Sequence, residues 1–245
     1  MAGHSKWAQI KRQKGVNDAK RGAVFTKIGN QIAIAARGGT DPLTNSTLAM
    51  VIEKAKQANM PKANIEKAIA RVADKNAAQL EEIIYEGYGP NGVGFVIETA
   101  TDNRNRTLPE VKTALTKNGG RFADPGSVLF QFKQKGVLMT AGLTEDQMLE
   151  ILDAGALDIK DEGEEFVIYT EPREMLAVKA KVEELGVELK QAELEYVADN
   201  LIAITDDESA QKILKIMNAI DDLDDVVNVY TNADLNNLTD RKSVV

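Results

Sequence analysis

Residues 136–197 read GVLMTAGLTEDQMLEILDAGALDIKDEGEEFVIYTEPREMLAVKAKVEELGVELKQAELEYV. The apolar run at 136–140 has strand character. Thr144-Glu145-Asp146-Gln147 follows as a capping box, with Leu143 and Met148 placed as its hydrophobic staple. The helix it opens ends before Gly155. Two short strands, at 156–160 and 165–170, join through Glu162-Gly163. A helix over about 172–185 stops at Gly186, and a strand over 188–197 closes the block. The order is β-α-β-β-α-β, the ferredoxin-like arrangement.

The flanks repeat the theme. Residues 93–100 read as a strand, Thr107-Leu108-Pro109-Glu110 as a capping box, and Asn118-Gly119-Gly120 as a helix stop. A strand is expected over 127–132 and another over 200–204. Thr205-Asp206-Asp207-Glu208 opens a helix to about residue 220, and 226–230 is the last strand. With the 136–197 block removed, the flanks also read as a βαββαβ unit. The predicted fold class is therefore α+β, with one ferredoxin-like domain inserted in another. Chain crossings are expected near 133–135 and 198–200.

Residues 74–84 read as a linker. Gly87-x-Gly89-x-x-Gly92 matches the dinucleotide fingerprint by letter, but that fingerprint must follow a strand and open a helix. Pro90-Asn91-Gly92 is a turn followed by β-like sequence, so a tight bend is expected instead.

Upstream the chain is helical. Asn17 or Asp18 can cap a helix with Phe25, Ile28, Ile32 and Ala35 on its apolar stripe, ended at Gly38-Gly39. Leu48, Ile52, Ala55 and Ala58 mark a second helix. Pro61 opens a third, with Ile65, Ile69 and Val72 inward. The expected domains are 1–77, helical and basic; 78–133 with 200–245, split α+β; and 134–199, inserted.

Charge is segregated. Residues 1–75 carry +9 and the remainder −17, in a chain of net charge −8. A cationic cluster on an acidic protein is the footprint of a surface that meets phosphates. The chain has no Cys and one His, which excludes a disulfide framework and makes a zinc site an unfavourable reading. No apolar run is long enough to span a bilayer, and the start lacks a signal-peptide core, so a cytoplasmic protein without membrane contact is expected. No nucleophile–base pair, P-loop or metal set stands out. The chain reads as non-enzymatic, without cofactor, metal or small-molecule substrate, and a monomer is expected.

The nucleic-acid-binding candidates are His4, Lys6, Trp7, Lys11, Arg12, Lys14, Lys20, Arg21 and Lys27. A second contact is Arg104 with Arg106, at a strand-to-helix junction where anions are favoured. Two readings of that loop stand: the arginines meet phosphates, or they pair with Asp102 and the acidic surface around it. Trp7 likewise reads either as a base-stacking ring or as a packing anchor. Asp221-Asp222-Leu223-Asp224-Asp225 lacks calcium-loop spacing and reads as a solvated acidic turn.

M1-A-G-H-S-K-W, D18-A-K-R-G, N59-M-P-K-A-N-I-E-K-A-I, Y85-E-G-Y-G-P-N-G, T101-D-N-R-N-R-T, G126-S-V and V229-Y-T-N-A-D together resemble the YebC family, across essentially the whole chain. That family includes the mitochondrial translational activator of cytochrome c oxidase. The resemblance implies a helical N-terminal domain and two α+β domains, the third nested in the second. It also implies a regulator of gene expression that binds nucleic acid: a DNA-binding transcriptional regulator, or a ribosome-associated factor on rRNA that relieves stalls at proline-rich stretches. A protein–protein adaptor is the remaining class. The chain departs from the family pattern at I10-K-R-Q-K, at A123-D-P-G and at Thr231, two of them places where a His is usual.

Overall fold

A computed structural model describes residues 18–72, 80–163 and 165–235, with the backbone alone described at 18–21. Three helices come first: α1 (Asp18–Ala35), α2 (Ser46–Gln57) and α3 (Lys62–Ala70). Ile28, Ile32, Leu48, Ala55, Met60 and Ile65 meet in their shared core. These are the stripes expected from the 3- and 4-residue spacings. Asn45 caps α2 by accepting from the Leu48 N–H, and its amide also ties the carbonyls of Ala35 and Gly39. One side chain thereby fixes the turn between the two helices. Pro61 stands at the cap position of α3.

The outer α+β unit holds β1 (Glu81–Tyr88), β2 (Gly94–Thr101), α4 (Arg104–Lys117), β3 (Arg121–Ala123) and, after the insertion, α7 (Asp207–Asp221) and β9 (Val226–Thr231). The sheet order is β3-β1-β2-β9. Phe95, Ile97, Leu115, Ile213, Ile216 and Ile220 lie in the core between this sheet and α4 and α7. Burial of this apolar surface is the main force holding the unit together.

The inserted unit runs β4 (Phe132–Thr140), α5 (Glu145–Asp153), β5 (Ala156–Asp161), β6 (Phe166–Thr170), α6 (Met175–Glu184) and β7 (Leu189–Ala198). Its antiparallel sheet order, β5-β6-β4-β7, is the ferredoxin-like one. The Thr144–Gln147 capping box forms in both directions, a feature that stabilises by about 1 kcal/mol. Gly136 faces α6: a Cβ there would meet the Thr170 hydroxyl and the Met175 side chain. The two crossings into this unit lie side by side. Asp199 N–H donates to the Gln131 carbonyl at 2.9 Å, and Phe132 pairs with Ala198 in the β4–β7 ladder. A last small ladder pairs β8 (Ile202–Ala203) with β10 (Ala233–Asp234) in parallel.

Four local expectations change. Residues 81–84 belong to strand β1, which pairs with β2 through a hairpin turn at 90–92, and not to a linker. Alternation is weak there because the strand carries Glu81, Glu82 and Glu86 and because Gly87 has no side chain. A Cβ at Gly87 would sit 2.9 Å from the Leu115 methyls, so this glycine serves helix–sheet packing. Residues 127–131 of the strand expected over 127–132 are not a strand. A turn and a short 3-10 segment at 129–131 occupy them, and β4 begins at Phe132. Thr107 is not the cap of α4: Asn103, four residues earlier, caps it by accepting from Arg106 N–H at 3.2 Å. Asp206 rather than Thr205 caps α7, accepting from Ser209 N–H at 2.7 Å.

Candidate nucleic-acid interface

The cations of the helical module divide into two groups. His4, Lys6, Trp7, Lys11, Arg12 and Lys14 lie outside the described residues. Lys20 and Arg21 fall on the first turn of α1, on the helix seven residues and six residues before Lys27. Lys27 does not face outward with a free charge. Its side chain is 12% exposed and its ammonium engages Asp221, on the carbonyl that ends α7 and, at 3.7 Å, on the carboxylate. A cation at a helix C-terminus is favoured by the helix dipole.

Other cations of the module do the same kind of work. Arg37 donates to the Leu80 carbonyl, where β1 begins. Arg71 reaches Asp102 at 3.7 Å and Asn30 at 3.3 Å. Lys54 pairs with Glu193 of β7 at 2.6 Å, and Glu53 receives Lys179 of α6 at 2.6 Å. Lys56 and Lys67 are exposed and make no ion pair among the described residues. Part of the positive charge therefore docks the helical module onto the acidic units, and the rest is concentrated toward the start of the chain.

The strand-to-helix loop after β2 resolves its two readings unequally. Arg106 forms a forked pair with Asp225, Nη2 to Oδ1 at 2.8 Å and to Oδ2 at 2.7 Å, and reaches Asp102 at 3.3 Å. The hydroxyls of Thr101 and Thr107 donate to the same Asp225 carboxylate at 3.0 and 2.6 Å. Burial alone would raise the Asp225 carboxyl. The Arg106, Thr107 and Thr101 donors outweigh it and hold the carboxyl below its ordinary value. Arg104 is exposed and makes no ion pair among the described residues.

The run at 221–225 is thus not simply a solvated turn: Asp221 receives Lys27 and Asp225 is buried. Sequence reasoning missed Asp225 because its three donors come from residues 118 to 124 positions away. It also missed Glu86. That carboxylate is 3% exposed and accepts three backbone N–H groups, from Gly126 and Val128 at 2.5 Å and from Leu129 at 2.8 Å. The G126-S-V motif is the loop that this carboxylate holds. The Tyr88 hydroxyl adds a bond to the Ser127 carbonyl at 2.6 Å. Among the described residues no group of three His, Cys, Asp or Glu side chains could hold a metal ion, and no helix is long and apolar enough to cross a membrane.

The architecture defines a class: a basic three-helix module docked on an α+β unit that carries a second, ferredoxin-like unit as an insertion. The profile of the TACO1/YebC protein N-terminal domain matches residues 5–75, and that of the TACO1/YebC second and third domain matches residues 80–233. The chain belongs to the TACO1/YebC family. A probable transcriptional regulatory protein of Salinispora tropica is 47% identical over 240 residues, covering 96% of each chain. One of Rhodococcus erythropolis is 48% identical over 241 residues at the same coverage. A solved structure of a conserved hypothetical protein from Aquifex aeolicus superposes with a TM-score of 0.82 at 40% identity, covering 89% of this chain and 91% of that one.

Proposed function

We propose that this protein is a non-enzymatic regulator of gene expression that binds nucleic acid through its basic N-terminal end, with DNA as the target and transcription as the process. The carrying observation is charge segregation: +9 over residues 1–75 against −17 over the rest. Pairing with the acidic units accounts for Lys27, Arg37, Lys54 and Arg71. Of the ten cations it leaves in residues 1–75, the six at the start, Lys6, Lys11, Arg12, Lys14, Lys20 and Arg21, form the phosphate-facing set. His4 and Trp7 lie among them as base contacts, and Arg104 is an outlying contact. The names of the relatives support a transcriptional role. The acidic units then repel polyanions and confine contact to one end.

Ribosomal RNA is the second reading. Six cations fall within residues 1–21, a short basic segment suited to single strands and irregular RNA rather than to a recognition helix in a groove. A protein adaptor needs no such concentration of cations.

The test is a double reversal, Lys20→Glu with Arg21→Glu. Negative charge in the first turn of a helix is favourable, so α1 should persist by circular dichroism. Loss of two phosphate contacts should weaken binding by roughly 10- to 100-fold at 0.1 M salt and reduce the salt slope by about 2. Anisotropy titration on a duplex and on a ribosomal RNA fragment reads both. Unchanged affinity on either target contradicts the assignment.

A further inference from the structure

The three modules line a half-open cavity of about 370 Å³. The helical module contributes Gln31, Met50 and Lys54 to it, the outer sheet Glu82, Glu98 and Asn228, and the inserted sheet Glu193 and Tyr196. Apolar wall is supplied between them by side chains such as Ile34, Ile83 and Val227. A mostly apolar pocket of this size with a few polar groups, placed between domains, is the usual form of a small-ligand site.

Its unspent polar atoms include two acceptors, beside donors such as the Tyr196 hydroxyl. Gln31 Oε1 is buried and takes no hydrogen bond among the described residues. Glu98 accepts the Asn228 amide at 3.0 Å and the Tyr230 hydroxyl at 2.9 Å, both on Oε2. Its Oε1 takes no hydrogen bond among the described residues. Glu82 stands at the exposed rim without an ion pair among the described residues. Lys54 is the cation among the described lining residues, and it is engaged with Glu193 at 2.6 Å. Burial raises the Glu98 carboxyl despite the two donors, with Glu82 adding to the effect and Lys54 opposing it. One cation, Lys54, faces three carboxylates, Glu82, Glu98 and Glu193, and negative charge in a low-dielectric pocket that is not matched by positive charge is costly. A ligand that brings a positively charged donor and an apolar body removes that cost.

We propose that this cavity binds a small organic amine, its protonated nitrogen donating to the Glu98 carboxylate and its hydrocarbon portion packing on the apolar wall. The occupant touches all three modules, so it fixes their mutual arrangement and couples ligand level to the posture of the basic end. The site is separate from the nucleic-acid contact and does not depend on it.

Titration calorimetry and melting of the full chain with phenethylamine, against its uncharged analogue 2-phenylethanol, test the assignment. Expected is one amine per chain, with a rise in melting temperature of about 3 °C at tenfold excess over Kd. The alcohol should bind at least ~10-fold more weakly, because it cannot pair with the carboxylate. Glu98→Gln should reduce amine affinity by ~10-fold or more, while Glu150→Gln, on the exposed face of α5, should leave it unchanged. If Glu98→Gln does not fold, Glu82→Gln should still reduce amine affinity ~2- to 5-fold, since its charge stands at the rim. Absence of amine binding, equal binding of the alcohol, or amine binding indifferent to both glutamate changes would overturn the proposal.

Discussion

Asp225→Ala should destabilise the outer unit by about 3 kcal/mol, seen as a lower urea midpoint with the helical content kept at zero denaturant. Asp225 is buried and takes the Arg106 fork together with two threonine hydroxyls, one of them from Thr107, which is itself fully buried. Removing the carboxylate takes away the acceptor of the Thr101 hydroxyl, while Thr107 can turn to the Asn103 carbonyl at 3.1 Å, and each buried unsatisfied donor costs about 1–3 kcal/mol. Arg106 is 46% exposed and recovers water, which places the estimate at the low end of the range for buried pairs. The Ala100 N–H also donates to the Asp225 backbone carbonyl, a bond that survives the substitution, so the strand pairing itself persists.

The same residue gives a pH signature with a definite sign. Its folded carboxyl sits below the ordinary value. The stability it contributes is therefore fully present above the unfolded carboxyl value of about 3.9 and is lost as pH falls through the folded value. The wild-type chain should lose this contribution below about pH 4, and Asp225→Asn should remove that part of the acid dependence. Urea titrations from pH 3 to 7 on both proteins read the difference.

Glu86→Ala should have an effect of similar size, about 3 kcal/mol, with a different local consequence. Three backbone N–H groups from one loop converge on this buried carboxylate. Hydrogen bonds to a charged acceptor contribute about 1.5–3 kcal/mol each, and the orphaned N–H groups turn partly to water. The loop at 124–131 should then open, and its amides should exchange with solvent many-fold faster than in the wild type. Glu86→Gln keeps one acceptor oxygen and should retain part of the protection. Unchanged exchange at Val128 and Leu129 in the alanine variant would show that the carboxylate does not hold the loop.

Much of the fold was legible because its elements carry local signals. The Thr144–Gln147 box, the glycines after α5 and α6 and the 3.6-residue stripes of α1 and α2 are read within a few residues of one another. The ferredoxin-like order of 136–197 follows from those signals alone. Strand β1 was not legible because it is half polar and its partner β2 lies across a glycine-rich turn that resembles a loop. The caps at Asn103 and Asp206 were displaced by a neighbouring Thr of the same chemistry: Thr107 is instead spent in the core on Asp225.

The candidate site was legible as a composition and not as an arrangement. A surplus of Lys and Arg can be counted in the sequence, but counting does not separate cations that dock modules from cations that meet phosphate. Lys27, Arg106 and Arg71 find their partners between 31 and 194 residues away. The Lys27 and Arg71 pairings are visible only once the helical module is seated on the outer unit, and the Arg106 pairing only once the outer unit itself is folded.

The most direct measurement is the affinity of the full chain for a 30-base-pair duplex and for a ribosomal RNA fragment between 50 and 300 mM KCl. Alongside it, Lys6, Lys11, Arg12, Lys14, Lys20 and Arg21 are all changed to Gln. The expected result is a linear fall of log K with log salt, with a slope of about −5 on the preferred duplex target, close to zero in the six-fold variant. An affinity that ignores salt, or a variant that binds either nucleic acid as the wild type does, would contradict the account.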